Sequence, residues 1–417
     1  MSEPVRKNRL RNAIWYALVA VLSLTAIYNY AMTSPGEVRT SDGLTARLEM
    51  ATLRPSPRVV TSVPDFRNDI DLRRLAPVLS NLRPLSPKAK QVSVLVATHA
   101  LRLWGPDAKF PEGEFLIDGL SGLLYSYSCP RLLALLLDGD QFQSMFSHGQ
   151  SLLSWTAHGI SVRHNLGTFG ELPVNSWPDH EAHIDKVISV LGEIGIPIND
   201  PVRAEGRDGT VADMLRDSMW RLTLGQELEW SAKAYLYFLQ LPAHWTNRFG
   251  QEISVEDMLN RITQKSIGSG PCLGTHGPQA IALALRIDRE EAFLSPKLRS
   301  LMKEHMYMIS RLLDKNQNAN GSWSADWAGP RASRAVAGDS EVITQLRATG
   351  HHLEWIAISP KDLRPEDTSI ARAIHFLQSS LGDLPAVDFY YHYPLLSHAG
   401  AALVRLSGRA ASSLVKN

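Results

Sequence analysis

The chain has 417 residues, enough for two or three average domains or one large single-layer assembly. Its 43 basic and 42 acidic side chains give a formal net charge of only +1, so we expect no nucleic-acid partner. With 44% hydrophobic residues the chain is globular, and its two cysteines exclude a disulfide scaffold and a paired zinc finger.

The N-terminus has the pattern of a membrane anchor. Residues 1–12 form a basic tail, and residues 13–32 contain no charged side chain. At ~1.5 Å per residue this stretch is long enough to span a bilayer as a helix. Because the basic residues precede it, the N-terminus is expected in the cytoplasm and the remainder outside. A cleaved signal peptide is the alternative, but its apolar core would be unusually long.

The rest of the chain divides into two parts. Residues 33–87 contain seven prolines and no sustained period, which predicts a stalk or an extended wrap. From residue 88 to residue 417 the periodicity is helical almost throughout, and no run alternates long enough to indicate a strand. Helix starts are predicted at Ser86-Pro87, Ser295-Pro296, Thr210-x-x-Asp213 and Ser254-x-x-Asp257. The sequence therefore predicts an all-α fold.

A faint internal repeat is present in the helical part. Residues 225–230 and 350–355 are identical at four of six positions, 125 residues apart. Weaker relatives occur at 149–152 and at 274–277, and each copy is predicted to open an apolar helix. Position 226 lies 50 residues before position 276, a suitable length for one helical hairpin with its loops. Several stacked hairpins would close into a ring of inner and outer helices.

One motif resembles a known repeat. Gln317 is followed by Gly321, Ser322 and Trp323, which is similar to the Q-x-x-x-G-S-W signature of the prenyltransferase and squalene-cyclase repeat. A second copy begins at Gln378 but lacks the Gly and the Trp. The resemblance implies an α/α toroid in which glycine makes a turn after an outer helix, while Gln and Trp tie that turn to the next helix.

The catalytic patterns of that family are absent from the chain. There is no Asp-Asp pair for a cyclase acid and no Asp-rich cluster for Mg²⁺. Protein prenyltransferases of this fold hold zinc with Asp, Cys and His, but no Asp stands two residues before Cys272. The resemblance therefore implies architecture more than activity.

Cys272 and His276 are the first candidate site. Their i, i+4 spacing could present both side chains to one zinc ion, with His351 or His352 completing the ligand set. Lanthionine-forming toroid enzymes also place Cys-His pairs at a central zinc. Two alternatives remain open, namely a disulfide between Cys272 and Cys129 and a buried thiol beside a helix start. We expect the metal to be absent and a shared cavity to be present.

The second candidate site comes from the repeat. If its copies begin successive inner helices of one ring, their polar residues should converge on a central cavity. Glu and His there could act as acid or base, and Trp could form an apolar or sugar-stacking wall. Candidate catalytic residues are Glu229, His276, His352 and Glu354, and candidate ligand-binding residues are Gln226, Trp230, His351 and Trp355. The alternative is that each residue only caps or packs its own helix.

A third candidate lies near the C-terminus. Polysaccharide lyases built on α/α toroids use Tyr and His in proton abstraction, and residues 390–393 read Tyr-Tyr-His-Tyr. Aromatic residues before a proline also pack in turns, so both interpretations stand. Asp326, Trp327 and Arg331 could rim the same cavity.

Two classes of function follow from these residues. In the first, a tethered toroid binds an isoprenoid, a lipid or an envelope glycan in its central cavity, with or without catalysis. In the second, the ring is a non-catalytic interaction scaffold in the cell envelope. His and Glu residues lining one cavity would favour the first class, whereas a cavity filled with Leu and Trp would favour the second.

The anchor gives a prediction of topology. A reporter fused after Asn417 should be active only on the extracytoplasmic side of the membrane, because four basic residues precede the apolar segment. Reporter activity in the cytoplasm would contradict the orientation.

Overall fold

The computed structural model describes most of one compact unit, residues 49–417. The described residues are 50–62, 65–83, 94–106, 114–116, 123–125, 133–134, 136–140, 153–162, 183–329, 340–385, 388–389 and 392–415. The predicted anchor at 13–32 lies outside them. Within these ranges no helix has both the length and the apolarity needed to cross a bilayer.

Helices dominate the structure, which confirms the mainly α character predicted from the periodicity. In chain order they are α1 (Leu72–Asn81), α2 (Val94–Trp104), α3 (Lys186–Glu193), α4 (Val211–Arg221), α5 (Glu229–Phe238), α6 (Val255–Thr263), α7 (His276–Glu291), α8 (Pro296–Lys315), α9 (Glu341–Ile358), α10 (Asp367–Gly382) and α11 (Tyr393–Ser407).

In the described residues, four antiparallel hairpins of short strands accompany the helices, and the sequence analysis did not predict them. They pair β1 (Glu114–Leu116) with β2 (Leu123–Tyr125), β3 (Leu153–Trp155) with β4 (Ile160–Val162), β5 (Pro201–Ala204) with β6 (Arg207–Thr210), and β7 (His244–Thr246) with β8 (Glu252–Ser254). Strands of three or four residues are too short for a period of two to be visible in the sequence. The hairpins are additions to a helical framework.

The predicted capping boxes are confirmed at the starts of α4 and α6. Asp213 accepts a hydrogen bond from the backbone N–H of Thr210 at 2.8 Å. Ser254 and Asp257 form the reciprocal pair, with backbone N–H donors at 2.9 and 3.0 Å. Ser295 and the proline after it begin α8, also as predicted. Each cap satisfies donors that the first helical turn leaves without partners.

Six helices contact one another in a closed cycle. Going round it, α2 packs on α3, α3 on α5, α5 on α7, α7 on α9, α9 on α11, and α11 returns to α2. The other long helices lie outside the cycle. For example, α8 packs on α6 and α7, while α10 packs on α9 and α1. Each of the six helices is therefore covered by neighbouring helices on more than one side.

Gly350 does not begin a helix, contrary to the interpretation of the repeat. It lies inside α9, which starts nine residues earlier at Glu341, with Ser340 as N-cap. A Cβ at position 350 would come within 2.8 Å of the backbone nitrogen of Ala399 in α11. The glycine therefore permits close contact between α9 and α11. The copy near Gly225 does precede a helix, so the two copies occupy different places.

Part of the predicted stalk belongs to the helical unit. The backbone N–H of Arg54 donates to the carbonyl of Phe238 at 2.7 Å, and Arg58 donates to the carbonyls of Leu236 and Leu239. This segment therefore runs along the C-terminal end of α5. Further on, α1 forms despite its internal Pro77 and packs on α10 and α11.

The turn after α8 is held by Gln317, Gly321 and Trp323. Gly321 has a φ of +88°. Gln317 donates from Nε2 to the carbonyls of Gly321 and Ser369 at 2.8 and 2.7 Å, and the latter contact ties the turn to α10. Trp323 is fully buried and donates to the carbonyl of Leu313 at 2.9 Å. A Cβ at Gly321 would lie 2.5 Å from the carbonyl oxygen of Arg372.

We predict that Gly321→Ala destabilises the fold by roughly 2 kcal/mol or more, because it adds left-handed backbone strain to a clash with backbone. Gly382→Ala is the matched control, since nothing lies within 4 Å of its added Cβ. That change should be neutral or stabilising by up to about 1 kcal/mol. Urea denaturation of both variants measures the difference, and equal effects would contradict the role of the turn.

Candidate functional site

The short turn before α7 presents Cys272 in a strained conformation. Cys272, Leu273 and Gly274 all have positive φ, at +49°, +62° and +72°. The indole N–H of Trp327 donates to the carbonyl of Leu273 at 2.8 Å, and a Cβ on Gly274 would meet the backbone of Gly268 at 2.4 Å. Two successive non-glycine residues in this region are rare, and such strain tends to be retained at functional sites.

A second turn brings His183 to the same place. His183 and Asp185 also have positive φ, immediately before α3. Asp185 accepts hydrogen bonds from the hydroxyls of Ser218 in α4 and Ser231 in α5, which hold this turn against two helices. The Cys272 sulfur lies 3.8 Å from His183 Nε2.

His276, the first residue of α7, completes a compact group. One ligand atom each from Cys272, His183 and His276 can be chosen so that all three lie within 4.8 Å of one another. We call these three residues the Cys272 cluster. The imidazoles of His183 and His276 are 4.8 Å apart between ring centres, and His276 is buried.

Glu227 orients both histidines of the cluster. Its Oε1 lies 3.1 Å from His276 Nδ1 and 3.4 Å from His183 Nδ1, and Glu227 also accepts from the backbone N–H of His183. Because a carboxylate only accepts, Nδ1 is the donor in each ring and Nε2 faces elsewhere. His276 Nε2 is buried without a hydrogen-bond partner among the described residues.

His351 adds a third anchored imidazole beside the cluster. Its Nδ1 donates to the carbonyl of Arg347 at 2.9 Å, one turn earlier in α9. Its Nε2 is likewise buried with no partner in the described part of the chain. The ring centre lies 6.0 Å from that of His276 and 3.8 Å from that of His398. His183, His276 and His351 are thus each held through Nδ1, and Nε2 is the nitrogen of each ring that could bind a ligand.

The electrostatics of the cluster favour a thiolate. Burial raises the pKa of the Cys272 thiol, but the positive charge of His276 and the nearby imidazoles of His183, His276 and His351 outweigh it and bring that pKa well below its usual value. Burial opposes protonation of His276, yet Cys272 and Glu227 raise the pKa of His276 to about 9. The pKa of Glu227 is low despite burial, because both histidines donate to it.

The structure distributes the predicted catalytic residues over three places. His276 belongs to the Cys272 cluster. Glu229 instead pairs with Lys265, whose Nζ is 2.7 Å from its Oε1. Glu354 accepts from His398 at 2.7 Å and from Gln279 at 2.9 Å and pairs with Arg102 at 3.0 Å, so it does not contact the cluster directly.

His352 does not join the Cys272 cluster, although the sequence analysis gave it as a metal ligand. Its Nδ1 accepts from the indole of Trp355 at 3.1 Å, and its ring lies against Trp323 and Trp327. Successive residues of a helix point about 100° apart, so His351 and His352 cannot face one partner. His351 is the residue on the cluster side.

The remaining predicted residues have mixed positions. Trp230 is buried with its ring centre 5.1 Å from that of His276. Gln226 accepts from the backbone N–H of Thr223 in the turn before α5, and Trp355 donates to His352 as described. Three further candidates lie outside the described residues, namely Cys129, the Tyr390-Tyr391 pair and Arg331.

His183 and Glu227 are the site residues that sequence reasoning missed. His183 lies in no repeat and no helical pattern, so nothing in the sequence singles it out. Glu227 stands inside the repeat, between two positions that were chosen, but its counterpart in the other copy is His352. No model of a protein family, no curated protein and no solved structure matches the chain.

The cluster gives a prediction of pH dependence in chelator-treated protein. The difference in absorbance at 240 nm between the parent protein and Cys272→Ser should show a thiolate well below pH 8, where a free cysteine is still protonated. Glu227→Gln should move the midpoint upward, since it removes the carboxylate that favours protonated His276.

Glu229→Gln is the matched control for that change. It alters a buried carboxylate two residues away that pairs with Lys265 and contacts no histidine in the described structure. The Cys272 titration in Glu229→Gln should match that in the parent protein. A Cys272 titration near the ordinary value for cysteine in the parent protein would contradict the electrostatic description.

Proposed function

We propose that this chain is a metal-dependent enzyme, with Cys272, His183 and His276 as ligands of a zinc ion. One observation carries the proposal. The histidines are held through Nδ1, which leaves their Nε2 atoms to bind a ligand beside the Cys272 thiolate. Thiolate and imidazole are the ligands that zinc prefers. In a tetrahedral zinc site such ligand atoms lie about 3.5 Å apart, close to the 3.8 Å between Cys272 Sγ and His183 Nε2.

The hydrogen bonds around the cluster support this assignment. Metal-binding histidines almost always donate their other N–H to a carboxylate or a backbone carbonyl, which fixes the tautomer and the ring orientation. Glu227 does this for two rings, and the Arg347 carbonyl does it for His351. The sequence analysis favoured a site without metal. In that interpretation the buried Nε2 of His276 has no hydrogen-bond partner among the described residues.

The ligand set is of the catalytic type. Three protein ligands leave a tetrahedral zinc with one open position, and a zinc ion held there supplies a Lewis acid for water or a carbonyl group. In this arrangement Glu227 holds the two ligand rings in place. His351 stands beside the cluster with an Nε2 able to accept a proton from a nucleophile. The reaction class is metal-assisted addition of water or another nucleophile.

We further propose that the closed cycle of six helices is the inner layer of an α/α toroid. A repeated contact in the outer layer supports this. Gln317, at the end of α8, bonds to Ser369 of α10, and Gln378 of α10 bonds to the backbone of Asp69 and Asp71 just before α1. In both cases a glutamine Nε2 donates to a backbone carbonyl at or near the start of the next outer helix.

The membrane anchor and the ligand are also part of the proposal. An uncleaved helix at 13–32 would tether the ring outside the cytoplasm. Its substrate would then be an isoprenoid, a lipid or an envelope glycan within reach of the ring. The convergence of ionisable side chains inside the helix cycle favours this reading over a non-catalytic scaffold.

Metal analysis of the full-length protein tests the proposal. Mass spectrometry of the purified, detergent-solubilised chain should find about one zinc per chain. Cys272→Ser and His183→Ala should each lose most of it, since each removes one of three ligands. Removal of the partner carboxylate in Glu227→Gln should weaken zinc binding by roughly 10-fold to 100-fold.

His352→Ala is the matched control, because it removes a buried histidine of the same region that packs among tryptophans. Its zinc content should equal that of the parent protein. A parent protein that binds no zinc, even after incubation with the metal, would refute the metal centre.

A further inference from the structure

A group of three buried cations lies next to the Cys272 cluster. Arg102, Lys186 and Lys233 come from α2, α3 and α5, and we call them the cationic group. Their charged ends surround Trp230, with Lys233 Nζ at 4.0 Å, Lys186 Nζ at 5.1 Å and Arg102 Cζ at 5.8 Å from the ring centre. Trp230 also contacts His276, so one indole separates the cations from the cluster.

The carboxylates of this region do not balance the cations. Arg102 takes both nearby carboxylates, with Glu193 at 2.9 Å and Glu354 at 3.0 Å. Arg405 also pairs with Glu193. Lys233 is 3.9 Å from that already shared carboxylate. In the described part of the chain, Lys186 has no carboxylate oxygen within 4.0 Å, and its Nζ contacts His99 Nε2 at 2.7 Å.

Such burial is unfavourable without a further anion. Lys186 and Lys233 are only 3% and 4% exposed. Burial lowers the pKa of the Lys233 ammonium well below its usual value. A buried cation is normally paired, since an unpaired charge in a protein interior costs several kcal/mol. The charge of Cys272 favours protonated Lys186, but neither lysine has a carboxylate of its own among the described residues, which leaves room for a further anion.

Lys233 donates to the side-chain oxygen of Gln279 at 3.4 Å, whereas a neutral donor at the same place has no partner in the described part of the chain. Trp230 is 1% exposed, and its indole N–H has no hydrogen-bond acceptor among the described residues. Buried indole N–H groups usually find an acceptor. Lysine ammonium and indole N–H groups together offer only donors, which suits an oxygen anion.

We propose that Lys186, Lys233 and the indole N–H of Trp230 bind a carboxylate group of the substrate beside the Cys272 cluster. The anions that this region already pairs with its cations are carboxylates, those of Glu193 and Glu354. This inference rests on the proposed function and adds to it the substrate class, a carboxylic acid. Its anionic end would be held at Trp230, with its reacting end toward Cys272.

Acetate is the probe for the test. Saturation-transfer NMR on the full-length protein should show saturable binding of the acetate methyl group in parent protein treated with chelator, because the cationic group is separate from the metal ligands. Lys186→Met and Lys233→Met should each weaken acetate binding by 10-fold or more. Lys303→Met, on the exposed face of α8, is the matched control and should bind like the parent protein.

Trp230→Phe removes the N–H donor and replaces the indole with a smaller aromatic ring, so it tests the site if a lysine variant fails to fold. It should weaken acetate binding at least 3-fold. Zinc content should be unchanged in Lys186→Met, Lys233→Met and Trp230→Phe.

Four results would overturn the carboxylate site. They are no saturable acetate signal in the parent protein, parent-like binding in the folded variants, loss of binding on chelation, and tighter competition by inorganic phosphate than by a carboxylate. The proposed metal centre is tested separately, by zinc content. Acetate binding in a protein that never takes up zinc would leave this site standing alone.

Discussion

A single carboxylate, Glu227, is the contact on which the Cys272 cluster depends. By accepting from Nδ1 of both His183 and His276, it fixes two rings that come from segments nearly a hundred residues apart. Because Nδ1 of each ring donates to Glu227, Nε2 is the nitrogen left to bind a ligand. The positions of the two Nε2 atoms therefore determine where that ligand can lie. The thiolate character of Cys272 follows from the same contact, because Glu227 favours the protonated form of His276 beside the sulfur.

The local signals of the sequence predicted much of the helical framework. Capping boxes and Ser-Pro starts depend on neighbouring residues, so Ser254 and Ser295 could be placed without knowledge of the fold. The Gln317 turn is implied only by the resemblance of its motif to a known repeat, because its contact with Ser369 joins residues that are 52 positions apart. The role of Gly350 could not be predicted, because it depends on contact with Ala399 in another helix. In the sequence, a glycine that ends a loop cannot be distinguished from one that allows a neighbouring helix to pack closely.

The candidate site was predictable only in part, for a related reason. Cys272 and His276 are close in sequence, so spacing indicated a shared ligand. His183 joins them through a turn of positive φ that is held by Ser218 and Ser231, and no periodicity records such a contact. Choosing between His351 and His352 required the rotation of α9 about its axis, which its packing against α11 determines.

The buried polar interior and the strained turn are best understood together. A fold that only had to be stable would gain by replacing Lys233 or Lys186 with apolar residues of similar size, since buried ionic groups often cost more than they contribute. The left-handed backbone of Cys272 and Leu273 costs a further ~1–3 kcal/mol for each residue. The two lysines lie against Trp230, and the strained turn contains Cys272 itself. The outer helices, in contrast, follow ordinary capping and packing rules. Backbone strain and incompletely paired charge that occur together beside Trp230, among the six helices of the closed cycle, indicate a function located at that place.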